Sequence, residues 1–242
     1  MTLRRLAWLA ILSTSPALAL APAGSARADS ISLDYSQITA LPSATGQGLY
    51  YVGANGITES SVFSVANNAL HVDTIGRAAG DINAYYEADN VYDSSKDAEM
   101  LFTTKVTAAP GVGLLFYLYD ANASSGISVT TGGWHLYGTS VTGTFADPSA
   151  FHTFDLKTIG GTHTFTLSID GTIVAAGHQA GGLGTPSAVF FGDGTNSGGN
   201  VTGDIQSFYY GNPLVVPEPA SLAMLGLGLL GAVGLARGRR GR

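Results

Sequence analysis

The chain has 242 residues, no cysteine and a formal net charge of −6. Between residues 29 and 215 it holds only four basic residues, Arg77, Lys96, Lys105 and Lys157, against sixteen acidic ones, a net of −12. That balance excludes a basic footprint for nucleic acid or anionic lipid. The lack of cysteine excludes a disulfide framework, thiol catalysis and a cysteine metal site, so stability must come from a packed core.

The chain opens with Arg4 and Arg5, an apolar stretch Leu6–Leu20 and the small-x-small triplet Ala26-Arg27-Ala28. These are the three parts of a secretory signal peptide, expected over 1–28 with the mature chain starting at Asp29. Pro16 and the polar Ser13-Thr14-Ser15 interrupt the stretch and argue against a membrane helix. The segment 29–213 that follows is long enough for one domain with a sizeable core.

Short strand-like segments with turn signals between them fill that domain and predict an all-β, antiparallel two-sheet sandwich. Strands are expected at 31–35, 48–52, 83–88, 99–107, 112–119, 127–131, 134–138, 151–157, 187–191 and 204–210. Val62–Val65 and Leu70–Thr74 flank Asn67-Asn68, and asparagine tolerates the left-handed region a tight turn needs. The strongest hairpin signal is Thr162–Ala176. There Phe165, Leu167 and Ile169 alternate with Thr164, Thr166 and Ser168 before the two-residue turn Asp170-Gly171. No window between the termini carries a helical apolar stripe.

The hairpin Ser61–Val72, the pair Phe151–Leu156 and Thr164–Gly171, the segment Phe190–Gly194 and the closing strand Asp204–Tyr210 together resemble concanavalin A-like, laminin G-type jelly rolls. The resemblance covers most of 48–211. It implies the jelly-roll sandwich but no single function, because that fold serves lectins, adhesins and glycosidases alike.

Glycoside hydrolases of this fold use a Glu-x-Asp-x-Glu-like strand, because two carboxylates must flank the scissile bond. The nearest match is Glu87-Ala88-Asp89-Asn90-Val91, where Val91 replaces the third acid. Glu87 and Asp89 then read as solvated strand-end carboxylates, and no turnover on polysaccharides is expected. The five histidines form no zinc spacing, and no Gly-x-Ser-x-Gly elbow occurs. Two oxygen-rich loops offer calcium ligands, one with Asp89 and Asp93, the other with Asp193, Asn196 and Asp204. Ordinary turn chemistry accounts for the same residues. Aromatics on neighbouring predicted strands, Tyr117, Tyr119, Trp134 and Tyr137, read first as closing the sandwich core, and they also suit stacking on sugar rings.

At the C-terminus, Val215–Ser221 contains Pro217, Glu218 and Pro219; an apolar run to Ala236 and an arginine cluster to Arg242 follow. The run 220–236 is about 25 Å long as helix at ~1.5 Å per residue, the short end of what spans a bilayer. The arginines are expected to stay on the cytoplasmic side. The whole tail, 214–242, resembles the PEP-CTERM signal of Gram-negative bacteria. That resemblance implies an exosortase acting near Pro217-Glu218-Pro219 on a precursor anchored transiently in the inner membrane. The expected product is a cell-envelope or extracellular-matrix protein, non-catalytic and a candidate carbohydrate binder. A secreted glycan-active enzyme and a structural biofilm component without a specific ligand are the alternatives.

Overall fold

A computed structural model describes residues 30–54, 56–76, 82–195 and 200–213. The expected signal peptide, membrane helix 220–236 and motif Pro217-Glu218-Pro219 lie outside the described residues, as does Asn196.

The strands are β1 (Ile31–Asp34), β2 (Tyr50–Gly53), β3 (Phe63–Ala66), β4 (Ala69–Asp73), β5 (Ile82–Asp89), β6 (Ala98–Ala108), β7 (Leu114–Tyr119) and β8 (Ala123–Val129). They continue with β9 (Gly133–Leu136), β10 (Thr142–Thr144), β11 (His152–Ile159), β12 (Thr164–Ile169), β13 (Thr172–His178), β14 (Ala180–Gly181), β15 (Ala188–Thr195) and β16 (Thr202–Gly211). A one-turn helix at Glu59–Val62 and a 3₁₀ turn at Pro42–Ala44 interrupt them. The strands form two antiparallel eight-stranded sheets. The first runs β13-β12-β11-β6-β16-β4-β3 with β1 beside β16; the second runs β10-β9-β8-β7-β15-β5-β2 with β14 beside β8. Every strand the sequence predicts is present; β10 and β14 are additions too short to leave a pattern.

Turn chemistry fixes the register. Asp170 and Gly171 take φ of 51° and 77°, and Asn67 and Asn68 take 53° and 60°, the left-handed pair that matches the twist of the flanking strands. The first turn pairs Ile169 with Thr172 and Leu167 with Ala175, with a bulge that leaves Val174 out of register. Phe165, Leu167 and Ile169 face the core as the alternation predicts, and Leu167 is fully buried.

Aromatic rings join the two sheets. Phe102 of β6 stacks on Phe116 of β7 across the interior at 3.6 Å and 5°, and on its strand neighbour Phe154 at 4.8 Å. Phe191 of β15 meets Phe208 of β16 at 4.4 Å. Each such side chain contributes about 1.5–3 kcal/mol by leaving water. A buried polar clasp closes one end. Thr74 donates to Asp193 at 2.6 Å and accepts the Val201 amide at 2.8 Å, so β4, β15 and the start of β16 are tied without an exposed ion pair.

Candidate functional site

Because strand side chains alternate, half of the second sheet faces the core and half faces outward. On β5, Ala84, Tyr86 and Ala88 enter the core, which sends Tyr85, Glu87 and Asp89 to the outer face. On β7, Leu114, Phe116 and Leu118 enter, which leaves Leu115, Tyr117 and Tyr119 outside. Tyr50 of β2, Phe190 of β15 and Tyr137, just past β9, join them.

Register gathers these residues into a line. Tyr50 pairs with Glu87, Glu87 with Phe190, Phe190 with Tyr117 and Tyr117 with Gly126, while the Tyr137 amide donates to the Gly126 carbonyl at 2.7 Å. At about 4.8 Å per strand this row is roughly 24 Å long. From Tyr137 to Phe190 its rings touch one another. Tyr117 stacks on Phe190 at 5.3 Å and 6°, and meets Tyr137 edge-on at 5.7 Å and Tyr119 at 6.3 Å; Phe190 meets Tyr85 at 5.1 Å. Gly126 makes this possible, for a Cβ there would fall inside the Tyr117 ring.

One carboxylate sits in this aromatic surface. Tyr50 donates to one Glu87 oxygen at 3.1 Å and Tyr119 to the other at 3.2 Å. Burial pushes the Glu87 carboxyl above the usual carboxylate range; the two phenol hydrogen bonds oppose the rise and Asp89 adds to it. Burial and then the Glu87 charge push the Tyr119 phenol up to about 12, and the Tyr50 phenol is raised as well. Both phenols therefore stay protonated donors at neutral pH.

The structure keeps three of the four predicted stacking residues on this face and removes one. Tyr137 is 43% exposed and Tyr119 half-buried, but Tyr117 is buried beneath its neighbours as the floor. Trp134 is the correction: it lies on β9 with parity opposite to that of Tyr137 just beyond the strand, is 7% exposed and packs in the core with Val129 and Leu136. Tyr50, Tyr85, Phe190 and Glu87 are the members that sequence reasoning missed. Glu87 is no free strand-end carboxylate; its partners are 37 and 32 residues away, where no local pattern reveals them.

The described calcium candidates are placed apart from one another. Among the described residues, no three His, Asp or Glu side chains gather around a common point. Asp89 lies on the aromatic face near Tyr50. Asp93 caps Ser95 at 3.0 Å and pairs with Lys96 at 3.0 Å. Asp193 belongs to the buried clasp with Thr74. Asp204, on the other sheet, binds His71 at 2.8 Å with Lys105 at 3.7 Å. A cleft of about 660 Å³ at the loop end contains Asp93, Asp97 and Asp120. Their oxygens serve the loops themselves: Asp120 accepts the Ser94, Asn122 and Ala123 amides, and Asp97 accepts that of Gly160.

Among the described residues no helix is long and apolar enough to cross a membrane. Comparison with protein families matches the PEP-CTERM protein-sorting motif at residues 215–240. Comparison with curated proteins finds no match. Among solved structures, one described as a sialidase aligns at 12% identity with a TM-score of 0.54, over 76% of this chain and 18% of that one. The Emp46p carbohydrate recognition domain, in metal-free form, aligns at 8% identity with a TM-score of 0.51, over 76% of this chain and 96% of that domain. The chain spans less than a fifth of the sialidase, and at these identities the likeness is one of fold. The chain is thus a concanavalin A-like jelly-roll sandwich carrying a PEP-CTERM sorting motif, which marks an exported cell-surface protein and implies processing by an exosortase.

Proposed function

We propose that the mature protein, the sandwich of 29–213, is a non-catalytic surface or matrix component that holds polysaccharide on the outer face of its second sheet. The observation that carries this reading is the register row Tyr50–Glu87–Phe190–Tyr117–Gly126–Tyr137. It joins flat apolar rings to hydroxyl and carboxylate partners, which is what sugar rings with apolar faces and hydroxyl edges require. The carbohydrate recognition domain among the structural neighbours is in keeping with it. A non-catalytic role is supported by Val91, which packs against the core where a third acid would complete the hydrolase pattern. It is supported further by Glu87, whose two oxygens are each engaged by a phenol. Before processing, the apolar run 220–236 anchors the precursor in the inner membrane, and the exosortase removes it.

Stacking without covalent chemistry gives dissociation constants from micromolar to millimolar, roughly −8 to −4 kcal/mol. The test is affinity electrophoresis of the mature protein through gels containing neutral polysaccharides. Tyr137→Ala and Tyr50→Ala are expected to keep their melting temperature and to be retained measurably more weakly than the wild type. Reducing-sugar release by the wild type that vanishes in Glu87→Gln would replace this reading with a hydrolase. Intact-mass analysis of envelope-released protein checks the sorting step: the main species is expected to lack Leu222–Ala236.

A further inference from the structure

Building on that reading, we infer that the aromatic face selects uncharged polysaccharide presenting neighbouring hydroxyl pairs, and that Glu87 is the residue that sets this selectivity. Among the described residues, the charges around the row are one-sided. Glu87 and Asp89 stand on the outer face of β5. The lysines lie elsewhere: Lys105 and Lys157 are on strands of the first sheet, and Lys96 pairs with Asp93 in the loop after β5. His135, the histidine on β9, gives its Nε2 proton to the Thr139 carbonyl at 2.8 Å. An acidic sugar laid along the row thus meets two carboxylates and no described lysine to offset them. In a half-buried setting that repulsion is weakly screened.

The same carboxylate favours hydroxyls. An ionised carboxylate has about four acceptor positions. Tyr50 occupies one on Oε2 and Tyr119 one on Oε1, which leaves one on each oxygen. Two acceptor positions side by side, fixed by phenols on both flanks, match two neighbouring hydroxyls of one sugar ring. The phenols also lock the Glu87 rotamer, so little side-chain entropy is lost when the sugar binds. Phe190, Glu87's register partner, places an apolar ring beside the acceptors, so stacking and hydrogen bonding act on one sugar unit.

The experiment compares a β-glucan, a galactan and a mannan, each beside its own carboxymethylated derivative, by affinity electrophoresis of the mature protein. Each derivative keeps the backbone and changes the charge. Wild type is expected to bind at least one neutral polymer about tenfold more tightly than its carboxymethylated form, a like-charge penalty of ordinary size. Glu87→Gln puts an amide donor where an acceptor stood and removes one charge. It is expected to weaken neutral binding several-fold and to close most of the neutral-to-acidic gap, with Asp89 sustaining the remainder. Tyr137→Ala, by contrast, is expected to weaken both polymers equally and leave the ratio unchanged. Melting temperatures of all variants confirm folding, and Tyr50→Phe, which deletes one phenol hydrogen bond and keeps the ring, serves if Glu87→Gln does not fold. Equal retention on neutral and carboxymethylated polymers, or a gap that Glu87→Gln leaves intact, overturns the selectivity while aromatic-dependent binding survives. No retention on any polymer overturns the selectivity together with the glycan-binding reading beneath it.

Discussion

The two sheets share one core, yet their outer faces solve the problem of meeting water in opposite ways. The first sheet pairs its charges: His71 and Lys105 flank Asp204, and Lys157 reaches Glu99 at 3.3 Å and Asp155 at 3.1 Å. Thr103 and Thr153 bond across β6 and β11. The second sheet carries a band of rings and a carboxylate whose only described side-chain partners are two neutral phenols. A face whose charges satisfy one another asks nothing of a ligand. A face of apolar rings around an acceptor with open positions is stabilised by whatever covers the rings and fills those positions. The difference favours the second sheet as the place of the proposed binding.

The sharpest way to break this comparison is to separate core aromatics from face aromatics. Trp134→Ala is expected to cost about 3–5 kcal/mol of stability, because it empties part of the core. Retention on polysaccharide per folded molecule is expected to stay at the wild-type level. Tyr137→Ala, three residues on, is expected to do the reverse. Chemical denaturation and affinity electrophoresis of both variants check this; a Trp134 variant that stays stable but no longer binds would return that residue to the binding face.

Leu167→Ala tests the first sheet's inward face and is expected to cost about 2–5 kcal/mol. A loss under about half a kcal/mol would mean that β12 is turned over, since a one-residue slip exchanges the faces of a strand. Gly126→Ala tests the floor of the second sheet. Its Cβ would enter the Tyr117 ring, so the ring must lift or the strands must part, an overpacking cost of about 1–3 kcal/mol. Retention is expected to fall with it, because Tyr117 supports Phe190 and Tyr137. Unchanged stability and retention in this variant would show that Tyr117 does not lie flat on β8.

The fold was legible because its turns are local. Asp170-Gly171 and Asn67-Asn68 announce their hairpins in two residues, and alternation in β12 has one apolar face only. The site was half legible, and for a physical reason. Leu114-Leu115-Phe116-Tyr117-Leu118-Tyr119 is apolar on both faces, so composition flags an important strand but does not say which face looks out. In Gly133–Tyr137 the same ambiguity put Trp134 and Tyr137 together although their parity separates them. Glu87 was lost for another reason. Its neighbours along β5 suggest a failed hydrolase motif, while the groups that define it, Tyr50 and Tyr119, arrive through sheet pairing. The bulge at Val174 left no signal at all.

The smallest effect expected concerns a clamp at the mouth of the Asp170-Gly171 hairpin. His152 bonds Asp170 through Nδ1 at 2.7 Å and the Asp147 carbonyl through Nε2 at 2.8 Å, while stacking on Phe145 at 4.2 Å. Both partners are acceptors and a neutral imidazole has one N–H, so only the imidazolium satisfies both. Burial is the largest influence and opposes that charge, but the hydrogen bonds and charges of Asp170 and Asp147 together outweigh it and the His152 pKa is raised. Burial likewise opposes the Asp170 charge, and His152 and the Thr153 amide outweigh it, so the Asp170 pKa is lowered. The histidine contribution is fully present below its unfolded pKa, about 6.5, and is lost as pH rises through the raised folded value. The aspartate contribution is present above its unfolded pKa, about 3.9, and is lost as pH falls through the lowered folded value. The clamp therefore stabilises most between about pH 4 and 6.5. Asp170 is half exposed, which holds the net gain to about 1 kcal/mol or less after solvent screening. His152→Phe keeps the ring on Phe145 and deletes both hydrogen bonds. Subtracting its melting temperature from that of the wild type across pH 3–9 is expected to give a low dome centred near pH 5, declining on both sides. A flat difference would mean that stacking on Phe145, rather than charge, holds the hairpin to β11.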